Sequence, residues 1–161
     1  MSTHTISSQD CSQQLVHLVP VLMKVMRRCM LEADSQLTVP HWRILDYLNR
    51  NPGASLSELS HAIEVTNATA STHVEKLVQR KLVKRADHPL ERRRIVLNIT
   101  PAGVADLDAT NARAMAVFCK MLEDVPDAKL GRVAEVLTLL ENAVSTQAHT
   151  VKTPALEVQD A

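Results

Sequence analysis

Residues 55–100 read SLSELSHAIEVTNATASTHVEKLVQRKLVKRADHPLERRRIVLNIT, and the order of signals in this stretch decides the fold. Ser55-Leu56-Ser57-Glu58 has the spacing of a capping box, in which a serine hydroxyl and a carboxylate three residues later satisfy each other's free backbone donors. A short helix to about Ile63 follows. Glu64-Val65-Thr66-Asn67 is a brief polar turn, and a second helix runs from about Asn67 to Lys81 with Ala70, Val74 and Leu77 on its inner face. Two short helices joined by so tight a turn form a helix-turn-helix. Leu82-Val83-Lys84-Arg85 comes next, then a polar loop from Ala86 to Arg93. In the segment after it, Ile95, Leu97 and Ile99 alternate with the period of a half-buried strand. The pair makes a β-hairpin with a long, charged tip.

On the N-terminal side, residues 1–11 are polar and aperiodic and read as a disordered lead. Apolar residues then recur at helical spacing from about Ser12 to Glu32, through Leu15, Leu18, Val19, Leu22, Met23, Met26 and Met30. Pro20 lies inside this run, where its missing N–H and ring clash predict a kink or the helix's true start. Leu37-Thr38-Val39-Pro40 opens another helix, with Trp42, Ile44, Leu45 and Leu48 available for burial, and Asn51-Pro52-Gly53 stops it. Beyond the hairpin, Thr100-Pro101 starts a helix to about Asp124, a last amphipathic helix runs from Pro126 to about Ser145, and residues 146–161 read as a flexible tail. The fold class is mainly α, in the order α-α-α-α-β-β-α-α. The first helix and the last two carry apolar stripes too long for so small a domain to shield, and a second copy of the chain is the simplest cover.

Composition narrows the function classes. With 161 residues, 45% hydrophobic and 22% charged, the chain has the size of one globular domain or two very small ones. Trp42, Tyr47 and Phe118 are its only aromatics, so the core has to be aliphatic, which suits packed helices. The apolar run Leu15 to Met26 is broken by His17, Pro20 and Lys24, well short of the roughly 20 residues of a membrane span. The first ten residues contain neither a basic residue nor an apolar core, so no secretory signal is read and a cytoplasmic location is expected. Net charge is zero, but residues 41–100 hold 10 Lys and Arg against 6 Asp and Glu, and residues 76–94 hold 8 against 2. A concentrated basic segment on a neutral protein points to a polyanionic partner.

Two surfaces supply the chemistry. Opposite the inner face of the 67–81 helix stand Ala68, Thr69, Thr72, Lys76 and Gln79. Small side chains let a helix approach base edges, Thr and Gln exchange hydrogen bonds with them, and Lys76 can reach phosphate. A solvated helix face is the plainer reading of these residues alone. The hairpin tip reads Asp87-His88-Pro89-Leu90-Glu91-Arg92-Arg93-Arg94. Arginine gains from a narrow, electronegative minor groove, and Glu91 can hold a neighbouring guanidinium in place.

Taken together, these residues resemble the MarR (multiple antibiotic resistance regulator) family of winged-helix transcription factors over roughly residues 12–145. The family's wing pattern, Asp-Pro-x-Asp-Arg-Arg, falls on His88-Pro89-Leu90-Glu91-Arg92-Arg93, with His88 replacing the first Asp and Glu91 the second. Lys81 stands where a glycine commonly follows the family's recognition helix, so that helix end requires a different cap. The resemblance implies a winged helix-turn-helix over residues 37–100 and a helical dimerisation region formed by residues 12–36 and 101–145. It also implies a homodimer on a palindromic double-stranded operator. Asn67 to Gln79 would enter the major groove, adding Asn67, Ser71 and His73 to the candidate contacts. His88, Glu91, Arg92, Arg93 and Arg94 would form the wing, with Arg92 reaching the minor groove.

The resemblance further implies a repressor of a neighbouring gene, released by a small anionic or phenolic effector or by oxidation of a thiol. By matching position, the effector crevice would lie near Met26, Met30, His41, Trp42 and Arg43, although Met at helical spacing is also ordinary core filler. Cys29, after Arg27-Arg28, and Cys11, near the start of the first helix, are the redox candidates. None of the seven histidines has H-x-x-x-H or HExxH spacing, so no metal site is read, and nothing calls for a cofactor. An enzyme, perhaps a thiol one using Cys29 or Cys119, is the rival class. It lacks a catalytic motif, and three glycines leave little room for a phosphate loop. A winged helix that binds only protein is the second rival, and the arginine-rich tip argues against it.

Overall fold

The computed structural model describes residues 6–31, 37–87 and 95–148. Helix α1 (Ser8–Leu31) begins four residues earlier than the apolar periodicity predicts. The reason is a local cap: Ser7 N–H donates to Asp10 Oδ2 at 2.8 Å and Asp10 N–H donates to Ser7 Oγ at 3.2 Å. Residues 8–11, read from sequence as part of a disordered lead, are therefore helical. Pro20 sits inside a continuous α1 and does not start it. Its missing N–H leaves the Val16 carbonyl without a helical donor on a stretch where Val16 is exposed and water can serve.

Helix α2 (Val39–Arg50) is opened by Thr38, whose hydroxyl accepts from His41 N–H, with Pro40 in the first turn. It buries Ile44, Leu45 and Leu48 completely. Helix α3 (Leu56–Ala62) carries the expected capping box, Ser55 Oγ accepting from Glu58 N–H while Ser55 N–H donates to Glu58 Oε2. Helix α4 (Asn67–Gln79) is capped by Thr66 and buries Ala70, Val74 and Leu77.

Helices α3 and α4 end alike. Val65 N–H reaches back to the Ser60 carbonyl and Glu64 N–H to that of His61, with Glu64 at φ 57°. At the end of α4, Leu82 N–H bonds the Leu77 carbonyl and Lys81 N–H that of Val78, with Lys81 at φ 60°. Both are Schellman motifs with a side-chain-bearing residue in the left-handed position usually given to glycine. The different cap expected at Lys81 is not what forms: the motif is the usual one, made by an unusual residue. It ends α4 at Gln79, two residues before the predicted Lys81.

Strands β1 (Val83–Asp87) and β2 (Ile95–Ile99) pair antiparallel from Val83 opposite Ile99 to Asp87 opposite Ile95, and Ala54 bridges to Leu97 on the other side. The expected alternation holds only in part: Ile95 is exposed, while Val96 and Leu97 are both buried. Successive strand residues point to opposite faces, so the hairpin is covered on both sides at 96–97. Helix α5 (Pro101–Leu122) follows directly, and Thr100 ties it to the end of α4. The Thr100 hydroxyl accepts from Gly103 N–H and donates to the Lys81 carbonyl at 2.7 Å, and Thr100 N–H donates to the Leu82 carbonyl. Gly103 is required by this close approach, because a Cβ there would lie 2.2 Å from the Leu82 carbonyl oxygen.

The core joins α2, α3, α4, the hairpin and Leu107 of α5, and it is aliphatic, as three aromatics in the chain dictate. It lies in the first of two compact units, Met1–Phe118; the second is Cys119–Ala161. Helix α6 (Asp127–Ala148), in the second unit, extends past the predicted Ser145 and exposes Val136, Leu137, Leu139 and Val144. Among the described residues no helix is long and apolar enough to cross a membrane.

Candidate nucleic-acid interface

Helix α4 presents the small polar face that its sequence predicted. Asn67, Ala68, Thr69, Thr72, Lys76 and Gln79 are exposed, and Ser71 is half-buried. Local hydrogen bonds set what each can offer. Asn67 Oδ1 accepts from the Ser60 hydroxyl at 2.6 Å, which leaves its amide N–H groups to donate outward. Thr72 Oγ1 donates to the Ala68 carbonyl, so its methyl and lone pairs face away from the helix. Thr69 and Thr66 share a hydroxyl contact at the N-terminal turn. Such a face combines a donor, an acceptor and a methyl group on a helix slim enough to enter a major groove.

His73 departs from this set. It is half-buried and packs edge-on against His41 of α2, ring centroids 5.4 Å apart, with its Nδ1 buried and unpartnered. His41 is 7% exposed, and neither ring nitrogen has a partner in the described structure. Burial, then the neighbouring His73, Arg80 and Lys76, push its pKa from 6.5 down to about 4. The structure therefore places His73 in the seam between α2 and α4. Sequence reasoning missed this seam because only the tertiary fold brings α2 and α4 together.

Two ion pairs brace α4. Arg85 of β1 lies 3.8 Å from Glu75, drawing off the negative charge of the α4 surface, and Arg80 lies 3.7 Å from Asp106 of α5. Together with the Thr100 bridge they link the orientation of α4 to α5 and to the hairpin. The hairpin tip, with His88, Glu91, Arg92, Arg93 and Arg94, lies outside the described residues.

A family model described as the MarR family matches residues 35–94, the span that contains α2, the helix-turn-helix and the hairpin. Over this span the chain is similar to the MarR family. It is 28% identical over 122 residues to the HTH-type transcriptional repressor IacR of Pseudomonas putida, covering 75% of this chain and 71% of the relative. It is 37% identical over 76 residues to the repressor NicR of Pseudomonas putida, where it spans about half of the relative, 48%. The structure of FabT of Streptococcus pneumoniae, solved in complex with DNA, superposes with a TM-score of 0.71 at 16% identity, covering 87% of this chain and 99% of that one. The fold is the winged helix-turn-helix of that solved structure.

The effector-crevice residues that the resemblance implies are divided between cavities. Met30 is buried and lines a cavity of about 260 Å³ with Arg27, Leu37 and Pro40. Trp42 and Arg43 line a separate cavity of about 330 Å³ further along α2. His41 and Met26 line neither, His41 being turned to His73 and Met26 half-buried on α1. Of the redox candidates, Cys29 is buried and Cys11 is exposed. Among the described residues no group of three or more His, Cys, Asp or Glu could hold a metal ion.

Proposed function

We propose that this chain is a MarR-family repressor that binds a palindromic double-stranded operator as a homodimer near a gene it controls, and that a small anionic or phenolic effector releases it. The observation that carries the reading is the exposed polar face of α4, Asn67 to Gln79, standing beside a basic hairpin and held by ties to α5 and β1. In this reading α4 occupies the major groove and Arg92 at the hairpin tip the minor groove. The related FabT, solved on DNA, and the repressors IacR and NicR support the same partner and the same sign of regulation.

A homodimer is supported by apolar side chains left in solvent: Val16, Leu18, Val19, Val21 and Met23 on α1, Met115 and Met121 on α5, and Val136 and Leu137 on α6. Apolar surface of this extent on a small chain marks an interface. The two-fold partner then sets half-sites about one helical turn, roughly 10 bp, apart. A cytoplasmic location follows from the DNA target. Selection of duplexes from a random pool by the purified chain tests the reading. Enrichment of an inverted repeat at that spacing is expected, and a pool that stays random after several rounds contradicts it.

A further inference from the structure

We infer, resting on the operator reading above in which α4 enters the major groove, that Glu75 determines specificity: its carboxylate accepts from the exocyclic amine of one cytosine in each half-site, and Arg85 positions it. Glu75 is the only acidic residue of α4. Ala68, Thr72, Glu75 and Gln79 follow one another at spacings of four, three and four residues, and all four are exposed, so they form one stripe along the helix. Glu75 thus shares the face that would meet DNA with Thr72.

A negative charge on that face works against affinity. Phosphates repel a carboxylate, and a neutral or basic side chain serves better where binding strength alone is wanted. What a carboxylate supplies is discrimination. Ionised, it only accepts hydrogen bonds. In the major groove guanine shows two acceptors, thymine an acceptor and a methyl group, and adenine an acceptor beside its amine, whereas cytosine shows a donor alone. The charge that bonds a cytosine amine is repelled by the edges of guanine and thymine, so it raises specificity by weakening the wrong complexes.

The geometry prepares the carboxylate for this task. Arg85 Nη2 of β1 lies 3.8 Å from Glu75 Oε1, and the Ser71 hydroxyl donates to the same oxygen at 3.5 Å. Glu75 Oε2 makes no hydrogen bond or ion pair with a described residue. One oxygen is held toward the hairpin and the other is left for a base. The Glu75 side chain is 58% exposed, too open for the pair to add much to stability, so orientation is the pair's main effect. The guanidinium also offsets part of the repulsion between Glu75 and the phosphates that line the groove.

The test selects duplexes from a random pool with the wild-type protein, Glu75→Gln and Glu75→Asp, the fold of each variant checked by circular dichroism. The wild type is expected to enrich an inverted repeat with one cytosine fixed in each half-site. Glutamine carries a donor beside its acceptor and matches adenine, so Glu75→Gln is expected to enrich the same repeat with adenine at that position. Glu75→Asp keeps the charge on a shorter arm and is expected to lose the preference for cytosine without gaining one for adenine. In fluorescence anisotropy, Glu75→Gln is expected to prefer the cytosine operator over a random duplex about tenfold less than the wild type does, with random-duplex binding tightened. Identical base preferences in the wild type and Glu75→Gln overturn the inference while the operator reading stands. So does an equal loss of affinity on operator and random duplexes, the mark of a side chain that only braces the hairpin. A wild type that enriches no repeat overturns the operator reading and this inference with it.

Discussion

Lowering the pH is expected to loosen the seam between α2 and α4 through His41. Its pKa lies at about 4 in the folded protein against 6.5 in an open chain, because burial and the charges of His73, Arg80 and Lys76 all oppose the imidazolium. A depressed histidine keeps the native state neutral, so between pH 6.5 and 4 the unfolded chain binds more protons than the folded one. Stability therefore rises with pH across this window, is complete above it and is lost as the solution is acidified. With these two values, going from pH 7.5 to pH 5 removes about 2 kcal/mol. Urea unfolding at a series of pH values and one fixed protein concentration, followed by Trp42 emission, measures the total slope. The same series on His41→Leu removes this one titration and preserves an apolar fill. The stability of the wild type relative to His41→Leu is expected to fall by about 2 kcal/mol as the pH falls from 7.5 to 5. Parallel curves over that range refute the claim that His41 is held neutral by its surroundings.

Other perturbations follow from the same contacts. Gly103→Ala forces a Cβ to 2.2 Å from the Leu82 carbonyl oxygen and is expected to lower stability in urea by about 1–3 kcal/mol. Gly131→Ala in open space on α6 is expected to raise it by about 1 kcal/mol, and equal effects contradict the packing argument. Lys81→Gly relieves a left-handed residue with φ 60° and is expected to stabilise by about 1 kcal/mol, read as a shift in urea midpoint at constant slope; a loss instead means the lysine side chain matters more than its backbone. Thr72→Ala removes an outward methyl and hydroxyl, and is expected to cost operator binding about 1 kcal/mol more than random-duplex binding in fluorescence anisotropy. Equal losses on the two duplexes mean that Thr72 reads no base.

The elements that local signals write were legible in the sequence. Ser55 and Glu58 announced α3, Thr38 and Pro40 announced α2, and Thr100-Pro101 announced α5, because each cap is made by neighbours in the chain. The buried trio Ala70, Val74 and Leu77 followed from helical period alone, and with it the exposed face of α4. Ser7 and Asp10 wrote the start of α1 in the same language, and attention to apolar period passed over them. What escaped was tertiary. His73, three residues after Ala70 and four before Leu77, stands at the edge of the buried face, and only the approach of α2 sets its ring against His41. The separation of Met30 from Trp42 and Arg43 depends on which turn of α2 the end of α1 meets, which family position alone does not specify. Thr100 reads as an N-cap in sequence, but its second bond, to the Lys81 carbonyl, exists only once the hairpin has folded back.

The central claim, that α4 and the basic hairpin embrace a nucleic-acid backbone, is tested most directly by the salt dependence of binding to a duplex with an inverted repeat. Each phosphate neutralised contributes a slope of about −0.9 in log affinity against log salt. The account predicts a straight line several units steep for the wild type, and Arg92→Ala is expected to weaken binding while making the slope about one unit shallower. Affinity that is absent in dilute buffer, or that does not change with salt, contradicts it.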